Sequence, residues 1–252
     1  MGYARPHTLK QTKVALVVTV VVVALLAARG PLLALAGDGV GASVKEQVKE
    51  QICDPTADYF LGLEDYPRAI ELHRQVIRRD PSNALAHYHL GFAYGITGHH
   101  KHELSEYRKA IDLGFDDWQL FLNLGLLYLE QGHLRVATDV LRLAALLGDN
   151  TAETHFNLGL ALERRGMLGQ AAREMLVAAR LDPAQDDARN MLGVIYAEQG
   201  RLAQARAEWT AILRDRPDYL PARINLSVLT RLERTGAPAH EPVRPGTFAR
   251  TP

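Results

Sequence analysis

The chain is poor in cysteine, has no excess charge of either sign and carries no familiar catalytic signature, and each absence removes a class of function. Cys53 is the only cysteine. It can form no internal disulfide and no CxxC metal or redox pair, which leaves a packed or capped residue beside Asp54 or a disulfide to another chain. The 29 basic and 29 acidic side chains cancel, so no net field draws the protein onto phosphates, and nucleic acid is not expected as a partner. No phosphate-cradling glycine loop, Gly-x-Ser-x-Gly elbow, His-Glu-x-x-His pair or paired Cys/His zinc pattern occurs. The expectation is a protein that is not an enzyme and takes no cofactor and no small-molecule substrate.

Acidic residues are missing altogether before Asp38, whereas Arg5, Lys10 and Lys13 are there. Between Lys13 and Arg29 every side chain is apolar except Thr19. A run this hydrophobic on all faces leaves water, and the preceding positive charges hold the amino terminus in the cytoplasm. Val14 to Ala28 would span about 22 Å as a helix, short of a hydrocarbon core of about 30 Å. Adding Leu32 to Ala36 gives a span of ordinary length, with Arg29 snorkelling at its outer edge. Residues 1–36 are therefore expected to be a cytoplasmic amino terminus and transmembrane anchor. The alternative is a signal peptide cut after Ala36, since Ala34, Leu35 and Ala36 form an A-x-A site. Either way the rest of the chain lies on the non-cytoplasmic side. Residues 37–53 read as a glycine-rich linker and a short helix carrying Val44, Val48 and Ile52, and the proline-punctured tail 235–252 reads as disordered.

The remainder repeats. Leu90-Gly91 returns as Leu124-Gly125, Leu158-Gly159 and Leu192-Gly193, each 34 residues after the last. Three residues after those glycines stand Tyr94, Tyr128, Leu162 and Tyr196, and seven after them stand Gly98, Gly132, Gly166 and Gly200. Ala69, Ala137, Ala171 and Ala205 share a phase, followed four positions on by His73, Leu141, Met175 and Trp209, and Pro81, Pro183 and Pro217 close their units. Small residues let helices approach closely, large ones fill the space between them, and the second set of glycines turns the chain. One helical hairpin cannot bury both faces, so the units must stack.

These residues resemble the tetratricopeptide repeat (TPR) family, whose units carry Leu-Gly, Tyr, Gly, Ala, a large apolar residue and Pro at fixed offsets. The resemblance covers most of residues 54–234. It implies an all-α, right-handed superhelical solenoid of about five helix hairpins, with a capping helix from near Leu220, preceded by the amino-terminal hydrophobic helix. Units begin at Gln51 or one residue earlier, then at Ala84, Trp118, Ala152 and Asp186. The first departs from the pattern with Thr56-Ala57 in place of Leu-Gly, Asp54 and Pro55 starting a shortened helix. The second has Glu103 for the small alanine and Phe115 for the proline, so its second helix is expected to be displaced or loosely packed.

In the resembled family the first helix of each unit lines a concave surface that holds a partner segment. The fifth and ninth residues of the units are Tyr88 and Phe92, Leu122 and Leu126, Phe156 and Leu160, Asn190 and Val194, Ile224 and Val228. Each pair shares a helix face, and the apolar ninth column points to a groove for a partner's amphipathic helix or extended apolar segment. The other reading is that the repeats or the tail cover these side chains. The sixth column holds Asn123, Asn157 and Asn225, with His89 in the second unit and Met191 in the fifth. Asparagines there can grip an extended main chain, similar to the ladder in the repeat domain of the glycosyltransferase that attaches N-acetylglucosamine to proteins, or can bond neighbouring helices instead. The basic clamp for chaperone tails is absent, since Tyr88, Leu122 and Phe156 take its places.

Six of the ten histidines, His73, His87, His89, His99, His100 and His102, fall in one stretch, and the turn from Gly98 to His102 holds three. Close imidazoles can bind a metal or sense pH, although a solvated polar turn is the plainer reading. The leading expectation is a membrane-anchored interaction scaffold or assembly factor for another envelope protein. A metal- or pH-responsive protein using the His73–His102 cluster and a regulatory arm of a larger enzyme complex are the alternatives.

Overall fold

A computed structural model describes residues 53–148 and 151–235. Among them are eleven helices and no strand: α1 (Pro55–Gly62), α2 (Tyr66–Arg79), α3 (Ala84–Ile96), α4 (His100–Asp112), α5 (Trp118–Glu130), α6 (Leu134–Leu147), α7 (Ala152–Arg164), α8 (Leu168–Leu181), α9 (Asp186–Glu198), α10 (Leu202–Asp215) and α11 (Leu220–Thr235). From α3 on, each first helix starts where the sequence register puts it, at Ala84, Trp118, Ala152, Asp186 and Leu220. The chain forms two compact units, one ending at Ala144 within α6 and one starting at Ala145. In the first, α2 packs on α1 and α3, and α4 on α3 and α5; in the second, α8 packs on α7 and α9, and α10 on α9 and α11.

Local chemistry sets the helix ends. The Asp54 carboxylate accepts hydrogen bonds from the amides of Thr56 and Ala57, and Pro55 occupies the first turn, so α1 starts late as its sequence suggests. Asn83 caps α3 through the Ala86 amide at 2.9 Å, and Asp117 caps α5 through the Gln119 amide at 2.8 Å. The hairpin turn after α3 needs a left-handed residue, supplied by Gly98 at φ 76°, and Gly132, Gly166 and Gly200 repeat it. In the first hairpin the same position holds Glu64, at φ 60°.

The spacing of the two helices within a hairpin comes from one contact made four times. A Cβ on Gly91 would lie 2.6 Å from the Tyr107 ring, on Gly125 2.5 Å from Leu141, on Gly159 2.8 Å from Met175 and on Gly193 2.5 Å from the Trp209 indole. Each glycine thus seats a large side chain of the following helix, and Tyr107, Leu141, Met175 and Trp209 are all fully buried. Behind them Ala69, Ala137, Ala171 and Ala205 are buried as well.

The expectation of a loose second helix in the second hairpin is corrected. Helix α4 starts 34 residues after α2 and 34 before α6, and Tyr107 is seated against Gly91. Glu103, in the small residue's place, is buried with its carboxylate 3.0 Å from His100 Nδ1. Phe115, in the proline's place, stacks on Tyr88 with ring centroids 5.0 Å apart, and Gly114 at φ 90° turns the chain there. A paired carboxylate and an aromatic stack replace the usual small residue and proline without opening the packing.

No helix of the described residues is long and apolar enough to cross a membrane. The expected span at 14–36, the linker 37–52 and the tail from 236 lie outside the described residues.

Candidate functional site

The first helices carry the residues expected to face a partner, and most of these side chains are buried. Tyr88, Phe92, Leu122, Leu126, Phe156, Leu160 and Val194 are buried, as are Asn123, Asn157, Asn190 and Asn225. Ile224 is 37% exposed and the His89 side chain 15%. Of the expected stripe, then, Ile224 presents the most open apolar surface.

The asparagines behave as a periodic polar column. Asn123 donates its side-chain amide to the Tyr88 hydroxyl at 3.3 Å, and Asn225 donates to the Asn190 side-chain oxygen at 3.1 Å, each reaching 35 residues back. These bonds join one hairpin to the next inside each unit. Asn157 behaves differently. Its amide nitrogen donates to the Glu153 carbonyl of its own helix at 3.0 Å, and its side-chain oxygen is buried without a hydrogen-bond partner.

The six histidines divide. His87 Nδ1 lies 2.6 Å from the Glu106 carboxylate, and its other nitrogen 3.2 Å from the Pro81 carbonyl. The second unit repeats the first of these pairings, His155 Nδ1 lying 2.8 Å from Glu174. Only His99 stands in the turn expected to hold three histidines, and it bonds the Thr97 hydroxyl; His100 and His102 lie in the first turn of α4, where His100 bonds Glu103 and the His102 ring lies against Tyr94. These residues do not converge on a common point.

His73 and His89 do converge, with two residues the sequence reading left apart from them. Cys53 Sγ is 3.4 Å from His73 Nδ1, His73 Nε2 is 3.8 Å from Asp58 Oδ1, and His89 Nδ1 is 2.8 Å from the same oxygen. Among the described residues this is the one group of three or more potential ligands, with donor atoms all within 4.8 Å of one another. Cys53 is thus buried against His73 as well as adjoining the cap residue Asp54. Burial, reinforced by the Asp58 charge, pushes its thiol up to about 12. Burial pushes His73 down to about 4, with the neighbouring His89 acting the same way. Burial alone would raise Asp58, but the hydrogen bond from His89 and the adjacent imidazoles outweigh it and hold the carboxyl below its ordinary value. One sequence signal pointed here: Asp58 stands in the ninth column, which Phe92, Leu126, Leu160 and Val194 fill elsewhere.

Glycine sockets, seated side chains and a 34-residue helix register define a protein of stacked helical hairpins. The chain belongs to the tetratricopeptide repeat family, whose model matches residues 56–116, 122–186 and 156–220. Among solved structures, YrrB, described as a TPR protein with an unusual peptide-binding site, is 26% identical with a TM-score of 0.61, the match covering 66% of this chain and 86% of YrrB. PilF of Pseudomonas aeruginosa is 20% identical with a TM-score of 0.61, covering 71% of this chain and 82% of PilF. MamA from Desulfovibrio magneticus RS-1 is 17% identical with a TM-score of 0.59, covering 67% and 99%. The last two likenesses are of fold. No curated protein matches. Proteins of the family are protein-interaction scaffolds.

Proposed function

We propose that this TPR protein is a membrane-anchored scaffold that holds an extended segment of another envelope protein on the non-cytoplasmic side, gripping its main chain at Asn157. The carrying observation is the buried side-chain oxygen of Asn157, which has no hydrogen-bond partner. A buried acceptor left unpaired is costly, and a backbone N–H of a bound segment would satisfy it. Asn123 and Asn225 in the same column donate their side-chain amides to the preceding hairpin of their own units, whereas Asn157 donates only within its own helix. Ile224, exposed in the same unit, adds an apolar contact for a partner side chain. The peptide-binding site reported for YrrB, of the same family, supports the reading, and the apolar run at 14–36 supports the anchor.

A single experiment tests it. A photo-crosslinking amino acid replaces Ile224 in the full chain in its own membrane, and the adducts are mapped by mass spectrometry. The expected result is one partner segment, on the non-cytoplasmic side, whose recovery falls about tenfold in an Asn157→Leu background, the cost of one buried hydrogen bond. Adducts scattered over many proteins, a cytoplasmic partner segment, or recovery indifferent to Asn157→Leu would overturn the reading.

A further inference from the structure

The first hairpin departs from its neighbours at the positions that matter most for packing. His73 occupies the seat that Tyr107, Leu141, Met175 and Trp209 take in later hairpins. An imidazole is a poor choice for a purely apolar seat, because burying its polar nitrogens without partners costs free energy. Its Nε2 has no hydrogen-bond partner and the side chain is completely buried. Asp58 puts a carboxylate into a column that is otherwise apolar. His89 replaces the asparagine of the sixth column, and Cys53 lies just ahead of α1. The departures fall at one place, where α1, α2 and α3 meet.

We propose that Cys53, Asp58, His73 and His89 form a four-donor site for a zinc-class divalent transition-metal ion, which clamps the first hairpin to the second. The donors are one sulfur, two imidazoles and one carboxylate, a set that suits tetrahedral zinc. Metal bonds of about 2.0–2.3 Å at tetrahedral angles place donors about 3.3–3.8 Å apart. With His73 Nε2 as the donor, Asp58 lies 3.8 Å from it and 2.8 Å from His89 Nδ1, and the donor atoms of the four residues all lie within 4.8 Å of one another, so side-chain adjustments of about an ångström complete the shell. The ion also gives the orphaned ring nitrogen of His73 a partner.

Asp54 is excluded from the set because its carboxylate is committed to the helix cap. Binding converts the Cys53 thiol to a thiolate and releases one proton to solvent, so affinity rises with pH. A metal joining α1, α2 and α3 stiffens the first described hairpin.

The test uses the full chain, reduced and stripped with chelator, titrated with cobalt(II) and then zinc. One equivalent of cobalt is expected to give a thiolate-to-metal charge-transfer band together with the visible bands of four-coordinate cobalt, both erased by zinc. Zinc alone should raise the thermal midpoint. Cys53→Ser should abolish the charge-transfer band, and His89→Gln, which keeps a hydrogen-bonding group toward Asp58, should weaken binding by about a hundredfold, with circular dichroism verifying retained helicity in both. The combined His99→Ala, His100→Ala and His102→Ala variant should bind as the unaltered chain does. The proposal is overturned if no charge-transfer band forms, if binding survives both ligand substitutions, or if it disappears with the turn histidines.

Discussion

Glu64 is the one non-glycine residue with positive φ among the described residues. It stands 34 positions before Gly98, at the turn that later hairpins give to glycine. A side chain held in the left-handed region costs about 1 kcal/mol, whereas glycine adopts it freely. Glu64→Gly is therefore expected to stabilise the first hairpin by a part of that amount, the gain being reduced by the greater freedom of glycine in the unfolded chain. Urea denaturation followed by circular dichroism measures it, and a fall in midpoint would refute the argument. The turn itself was legible because four glycines marked its phase; the strained residue was visible as the missing glycine. What could not be read from the sequence was the company kept by Cys53 and Asp58. Cys53 reads locally as the neighbour of the cap residue Asp54, and no motif marks Asp58. Their meeting with His73 and His89 depends on how three helices pack, which no spacing within one helix encodes.

At the scale of the helix pair, the glycine sockets decide stability by what they hold. Alanine in place of glycine inside a helix gains about 1 kcal/mol from propensity alone. Against that stands the overlap of the new Cβ with the seated side chain. Met175 is flexible and meets the Gly159 position at 2.8 Å, so it can swing away. Trp209 is rigid, meets the Gly193 position at 2.5 Å and is held by its indole N–H, which donates to the Asn190 carbonyl. Gly159→Ala should accordingly be near neutral, while Gly193→Ala should lose about 1–3 kcal/mol, the usual cost of overpacking. Equal effects in a denaturant titration would show that the two sockets do not discriminate. The helix starts were readable from these same glycines to the residue. The tight packing of α4 was not, since a glutamate in a small residue's place looks disruptive until its buried pairing with His100 is seen.

For the whole chain, equal numbers of acidic and basic residues leave little general repulsion near neutral pH. Individual buried groups then set the pH response. Burial pushes Glu153 up to about 7, above its unfolded value. Its contribution to stability is fully present below about pH 4.5 and is lost as pH rises through about 7. The side chain keeps partial solvent contact, so the effect is worth about 1 kcal/mol once screening is allowed for. Glu153→Gln should match the unaltered chain at pH 4 and exceed it in thermal midpoint at pH 8. A difference that stays constant across that range would count against the assignment. Family and helical class were legible at this scale because one period repeats undisturbed. The open or covered state of the apolar first-helix columns was not, since the same side chains serve either way until their burial is measured.

The four glycine sockets share one shape but receive a tyrosine, a leucine, a methionine and a tryptophan. An array of identical modules could be shuffled without loss, whereas here each hairpin is keyed to its own tenant. Exchanging second helices between modules would leave a void in one place and a clash in another. The order of the modules is thereby written into their interiors, which guards a repetitive chain against folding out of sequence with itself.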